Sequence, residues 1–322
     1  MKAVVCKEWG SPDSLSLEDV SSPRLKEGHV KVAVHACGVN FADTLLIQGN
    51  YQVRPDPPFS PGLEVAGEVM ACGKGVSGLM PGDRVMAVVS YGGYAEEVVV
   101  PAMAVIPLPP TMDFVTAAGF PVAYGTSHLA LTHRARLKAG ENLLVHGASG
   151  GVGLTAVEIG KHLGARVIAT AGSTEKLKIA AAYGADHLID YSREDIREQV
   201  KALGGADVVY DPVGGDVFEA SLRCINWEGR ILIVGFASGQ IPRPAANLLL
   251  VKNCAVIGLY WGAYMWRNPG LMHQSLAELL SWYAQGLLKP HVSQTFPLAQ
   301  ARDALVELLE RRTTGKVVIT MR

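Results

Sequence analysis

The sequence is short of the features that would set it outside the soluble enzymes. Its five cysteines, Cys6, Cys37, Cys72, Cys224 and Cys254, are scattered, odd in number and never spaced C-x-x-C. That argues against a disulfide framework and fits buried thiols in a reducing cytosol. No block of like charge occurs, and the formal net charge is −1. A nucleic-acid binder needs a basic face, so no nucleic-acid partner is expected. No apolar run approaches the ~20 residues needed to cross a bilayer. The opening stretch MKAVVCKEWGSPDSL meets charge and proline too early for a secretory signal. These absences predict a cytoplasmic protein with no membrane partner.

What is present points to an α/β enzyme. Of 322 residues, 49% are hydrophobic and 18% charged, with 35 glycines for tight turns. The length exceeds the roughly 250–300 residues at which single cores stop growing, so two domains are expected. Short apolar or alternating runs at 2–6, 29–36, 65–70, 84–89 and 94–100 are bounded by Gly, Pro, Asn or Asp and predict strands. The texture then changes. Segments 111–118 and 125–131 look helical, after which strand and amphipathic helix alternate. Strands are predicted at 143–146, 167–170, 187–189, 208–211 and 230–234, with helices at 152–163 and 175–183 among them. Such alternation predicts a doubly wound parallel sheet of Rossmann type. It stops near Gly258; helices at 269–285 and 298–311 and a strand at 315–320 follow. The expected domains are a mostly β substrate domain from 1–121 and 260–322, with a nucleotide domain at 122–259 inserted between.

The run Leu143-Leu144-Val145-His146 leads straight into Gly147-Ala148-Ser149-Gly150-Gly151-Val152-Gly153 and then into a helix pattern. A pyrophosphate needs backbone N–H groups at a helix N-terminus, and glycines let the chain turn tightly against it. The strand–loop–helix context lifts this above a bare glycine pattern and nominates Ser149, Gly150, Gly151 and Val152 as cofactor ligands. An NAD site would place Asp or Glu at the tip of the second strand. Here Ala169-Thr170-Ala171-Gly172-Ser173 carries no acid. Small residues leave room for a 2′-phosphate, with Ser173, Lys176 and Tyr191 at hand to bond it, so NADPH is the expected cofactor. Glu175 remains an alternative partner for a ribose.

These motifs, with Gly38-Val39-Asn40-Phe41-Ala42-Asp43, Pro61-Gly62-Leu63-Glu64-Val65-Ala66-Gly67 and Gly92-Gly93-Tyr94-Ala95-Glu96, resemble the medium-chain dehydrogenase/reductase superfamily and its quinone oxidoreductase (zeta-crystallin-like) branch over essentially the whole chain. The resemblance implies a GroES-like substrate domain beside the Rossmann domain. It implies that Asn40, Tyr51 and Thr126 line the nicotinamide end of the cleft, and that Phe236 and Asn247 hold the cofactor from the sheet side. It adds Arg312 to the residues meeting the 2′-phosphate, and it favours a homodimer. Each residue also has a structural role open to it: Asn40 or Thr126 as a cap, Tyr51 as a packed aromatic, Arg312 as a partner of Glu310.

Zinc alcohol dehydrogenases of the same superfamily hold a catalytic metal through Cys, His and a further Cys or Asp. At those positions this chain has Asn40 and Leu63, leaving Glu64, and Tyr91-Gly92-Gly93-Tyr94 stands where the structural-zinc lobe would be. No metal is expected, since a catalytic zinc needs three protein ligands. Without a Lewis acid, acceptors that are already electron-poor are favoured, a quinone or an enone, with Tyr51 or solvent giving the proton. Three functions stay open: NADPH quinone reductase, NADPH enone or enoyl-thioester reductase, and an NADPH-binding protein with little turnover. His146 is expected to be a packed core residue. The aromatic cluster Tyr260-Trp261-Gly262-Ala263-Tyr264-Met265-Trp266 either roofs a pocket or sits in a subunit contact.

Overall fold

The computed structural model describes residues 1–321. The chain divides into two compact units, Met1–Val122 with the chain from Pro290 onward, and Ala123–Lys289. The first unit begins with a two-stranded antiparallel pair, β1 (Lys2–Cys6) and β2 (Leu15–Asp19). β3 (His29–Val39), β4 (Glu64–Cys72), β5 (Arg84–Val88), β6 (Glu97–Pro101) and β7 (Val105–Pro107) follow. In β3 the residues Val30, Val32 and Val34 are buried and their neighbours are not, the period-two pattern of a strand with one covered face. Its last residues, through Val39, are buried without alternation. A short helix, Phe41–Ile47, starts directly beyond it.

The second unit carries six parallel strands: β8 (Asn142–Val145), β9 (Arg166–Ala171), β10 (His187–Asp190), β11 (Ala206–Asp211), β12 (Ile225–Ile233) and β13 (Ala255–Gly258). Their order, β10-β9-β8-β11-β12-β13, reverses direction at β8 and β11. That is the switch point of a doubly wound sheet, where ligands of such folds bind beyond the strand ends. Leu144, Ile168, Val209 and Ile231 pack with Phe218 and Leu222 of the helix Asp216–Cys224 into a continuous core.

The chain then returns to the first unit as β14 (Val292–Pro297) and β15 (Lys316–Thr320). The sheet runs β14-β15-β3-β4-β5-β7, with β6 paired to β3 as well. The α/β class, the Rossmann sheet and the separate mostly β unit agree with the expectation. β2, β7, β14 and the helix Phe41–Ile47 lay outside it; β7 is three residues ending in proline, and β14 has no fully buried residue to give it a period.

The expected second boundary, at 259/260, is displaced to 289/290. Segment 260–289 packs inside the nucleotide unit. The helix Pro269–Ala284 buries Met272, Ser275, Leu276 and Leu279, one helical stripe. Trp261 lies over Gly125, where a Cβ would come within 2.5–2.8 Å of the indole. The end of the strand–helix alternation marks the end of the sheet, not the end of the unit.

His128 fixes that helix. Its Nδ1 shares a hydrogen bond with Ser275 Oγ at 2.8 Å, while Nε2 makes none, 3.4 Å from Glu278 Oε2. Burial pushes the His128 imidazole down from 6.5 to about 4. The unfolded chain therefore takes up this proton at higher pH than the fold does. The contribution is complete above pH 6.5 and is lost as pH falls toward 4. We expect the unfolding free energy from urea titration to fall more between pH 7 and 4.5 in the wild type than in His128→Gln, by up to about 3 kcal/mol; equal losses would remove His128 from the account.

Candidate functional site

The loop between β8 and the helix Gly151–His162 is built by missing side chains. Gly147 has φ +56°. Gly150 is the extended residue before the helix, its N–H bonded to Gly147 O at 2.9 Å. A Cβ on Gly153 would overlap that same carbonyl, and one on Gly160 would overlap Leu143. The helix can lie close to β8 only because both are glycine. Ser149 is buried, and Gly150, Gly151 and Val152 form the first turn, whose N–H groups have no acceptor within the helix. Ser127 anchors that turn, its Oγ donating to Val152 O at 2.9 Å and meeting Thr155 Oγ1 and Tyr210 OH at 2.8 and 2.9 Å. The family resemblance nominates instead its neighbour Thr126, which is also buried. His146 is the packed residue expected, bonded to Thr170 Oγ1 and Ser221 Oγ.

At the tip of β9, Ala171 is buried and Gly172 follows. Ser173 caps the helix Thr174–Ala182, its Oγ accepting the Lys176 N–H at 3.4 Å. Tyr191, just past β10, donates its backbone N–H to Ala171 O, and a Cβ on Gly172 would stand 3.0 Å from its phenol oxygen. Ala171, Ser173, Lys176 and Tyr191 are thus neighbours, with no acid at the strand tip. Glu175 stands exposed in the first helical turn, its carboxyl held low by its own N–H and by Ser173.

Phe236 is half-buried in the loop after β12, its ring 3.4 Å from where a Gly214 Cβ would be. Asn247 is exposed on the short helix Ala246–Lys252. Arg312 belongs to the first unit and is ion-paired with Glu307 at 2.7 Å and with Glu310. Tyr51 is half-buried in the bend after the helix Phe41–Ile47. Arg54 nearby is stacked on Trp9, its guanidinium carbon 4.1 Å from the ring centre.

Asn40 lies in a buried polar network at one end of the first unit's sheet. Lys316 Nζ donates to Val39 O (2.8 Å), Asn40 Oδ1 (2.7 Å) and Glu64 Oε1 (2.8 Å). Asn40 Nδ2 donates to Glu64 Oε1 at 2.9 Å, and Val122 N–H to Glu64 Oε2 at 2.9 Å. Asp43 accepts from Asn40 N–H (2.8 Å), Gly62 N–H (3.2 Å) and Tyr94 OH (3.1 Å). Burial lifts the Asp43 carboxyl to about 7, against the Asn40 bond and the Lys316 charge. Asp43 and Tyr94 belong to the motifs that carry the resemblance, without a role assigned there, and Lys316 belongs to none. The available signal was a lysine opening an apolar strand, Lys-Val-Val-Ile-Thr.

A doubly wound sheet with this glycine loop, joined to a mixed β unit, defines the dinucleotide-dependent dehydrogenases and reductases as a class. The chain belongs to the medium-chain dehydrogenase/reductase superfamily, in its quinone oxidoreductase branch. Residues 26–110 match the alcohol dehydrogenase GroES-like domain and 151–282 the zinc-binding dehydrogenase family. The chain is 45% identical to the quinone oxidoreductase-like protein 2 homolog of Nematostella vectensis, over 99% of this chain and 88% of that protein. It is similar to the quinone oxidoreductase of Thermus thermophilus, solved also in complex with NADPH (38% identity, TM-score 0.87, all of both chains). It is similar also to the Escherichia coli quinone oxidoreductase complexed with NADPH (30% identity, TM-score 0.93, 99% of this chain and 100% of that one).

The second family's description implies zinc, and the residues here do not fit it. An amide (Asn40), an apolar side chain (Leu63) and a carboxylate already facing an ammonium (Glu64) do not make three metal ligands. The described residues hold no cluster of three His, Cys, Asp or Glu able to take a metal.

The loop geometry has a direct test. Gly153→Ala drives a Cβ into the Gly147 carbonyl and forces the helix Gly151–His162 away from its loop, and overpacking of this kind costs about 1–3 kcal/mol. Thermal unfolding should drop accordingly, while Gly239→Ala, with nothing within 4 Å of its Cβ but φ +79°, should lose less.

Proposed function

We propose that the protein is a zinc-independent, NADPH-dependent oxidoreductase that reduces quinones by hydride transfer. The observation that carries this reading is the glycine-loop helix start beside a strand tip that ends in Ala171 rather than an acid. The N–H groups of Gly151 and Val152 would hold the pyrophosphate, with Gly150 closing the turn on Gly147 and Ser149 beside them. Ser173, Lys176 and Tyr191 would bond the 2′-phosphate. Thr126, Phe236 and Asn247 would complete the cradle, and Arg312 stays with its glutamates. Bound there, NADPH supplies a hydride, which with one proton converts a quinone to a hydroquinone and leaves NADP⁺. Tyr51 is the proposed proton donor and Asn40 the polar group orienting the acceptor. Orientation of this kind can account for roughly 7–11 kcal/mol of a barrier. An acceptor that is already electron-poor suits a site whose cation is a lysine ammonium.

The test is a titration of metal-stripped protein with NADPH and NADH, then NADPH oxidation against a quinone, an enone, an enoyl-CoA and an aldehyde. We expect NADPH to bind tighter and the quinone to turn over fastest. Ala171→Asp should shift the NADPH/NADH preference toward NADH by about tenfold or more, about 1.4 kcal/mol. Preference for NADH in the wild type would refute the 2′-phosphate reading. Fastest turnover of the enone or enoyl-CoA would move the substrate class, and binding without turnover would favour a sensor.

We further propose that two copies pair along β13, the last strand of its sheet. Beside it Leu250 and Val251 are 75% and 61% exposed, which is unusual for apolar side chains on a short helix. Light scattering should give twice the mass of one chain, and Leu250→Lys/Val251→Lys should give one chain with its thermal midpoint kept. A monomeric wild type would end the proposal.

A further inference from the structure

Lys316 is 8% exposed and Glu64 fully buried, and a buried ammonium is costly unless it is paired and all its donors are used. Here all three are. Their acceptors are one backbone carbonyl, the Glu64 carboxylate and the Asn40 side-chain oxygen. Glu64 Oε1 in turn takes a hydrogen of Asn40 Nδ2. The carboxamide is therefore gripped at both ends by opposite charges. Turning it over would set its N–H groups against the ammonium and its oxygen against the carboxylate. Asn40 is the one member of the Lys316–Glu64–Asn40 group that reaches the surface of its unit. A pair serving stability alone has no need to fix the orientation of that side chain.

We propose that Lys316 is a positioning residue for the acceptor site, acting with Glu64 to hold the Asn40 carboxamide in one orientation. The inference rests on the hydride-transfer reading above, in which Asn40 meets the acceptor. Lys316→Met alone leaves a buried carboxylate without its cation, so the test removes both charges together in Lys316→Met/Glu64→Gln and keeps the charge in Lys316→Arg. The double variant should bind NADPH within about twofold of wild type and keep its KM for the quinone. Its kcat should fall by between about tenfold and a hundredfold, the scale of a misplaced polar group. Lys316→Arg should recover most of the loss. A folded double variant with wild-type kcat overturns the proposal.

A second readout needs neither turnover nor a variant that folds. In the ¹⁵N spectrum of the unaltered protein, the Asn40 side-chain hydrogens should exchange with water far more slowly than those of exposed Asn247. Equal rates overturn the proposal. If the wild type oxidises NADPH with none of the acceptors, the hydride-transfer reading fails by itself, and the exchange rates still decide whether Lys316 holds Asn40.

Discussion

A carboxylate without solvent at the end of a sheet must be answered by a cation, and the first unit is organised around that demand. Glu64 opens β4, Lys316 opens β15, and both strands flank β3, which ends beside Asn40. The antiparallel register, Cys37 opposite Val65 and Val317 opposite Val39, delivers the three side chains to one place. Gly38 has no side chain because a Cβ there would run into the Glu64 carboxylate and the Ala118 carbonyl. The remaining Glu64 oxygen takes the Val122 N–H, the last residue before the chain enters the second unit. Removing one member of such a pair typically costs about 3–5 kcal/mol, whereas removing both can be nearly neutral. That asymmetry suggests the pair is kept for what it orients more than for the stability it adds.

The second unit meets the opposite demand, a place for negative charge, by leaving side chains out. Gly147, Gly153 and Gly160 let a helix approach a strand closely, and its first-turn N–H groups are left to meet an anion. Several polar groups buried around it are satisfied from within. His146 spends both ring nitrogens on Thr170 and Ser221, and Ser127 bonds both Thr155 and Tyr210. None is left as a reactive base or nucleophile. In the proposed reaction the protein's part is accordingly to bind and orient, and the cofactor carries the chemistry.

The unit Asn142–His162 was legible because each of its signals is local. An apolar strand, a glycine turn and an amphipathic helix lie within about twenty consecutive residues, and the change of period from 2 to 3.6 marks the joint. The acid-free tip at Ala171 was legible for the same reason. Arg312 shows the limit of motif alone: its guanidinium is engaged by Glu310, a pairing open to it from the sequence, and by Glu307, which the helix Ala301–Leu309 brings alongside.

What the sequence determined by itself was the alternation of strand and helix and the phosphate-type loop. Side chains next to one another in the chain decide these through backbone geometry and period. What only the tertiary structure decided was the company Asn40 keeps and the reach of the nucleotide unit to Lys289. Lys316 stands 252 residues from Glu64 and 276 from Asn40. The helix Pro269–Ala284 meets His128 across 147. Such partners are chosen by strand register and by the burial of apolar stripes, which depend on the whole chain folding at once.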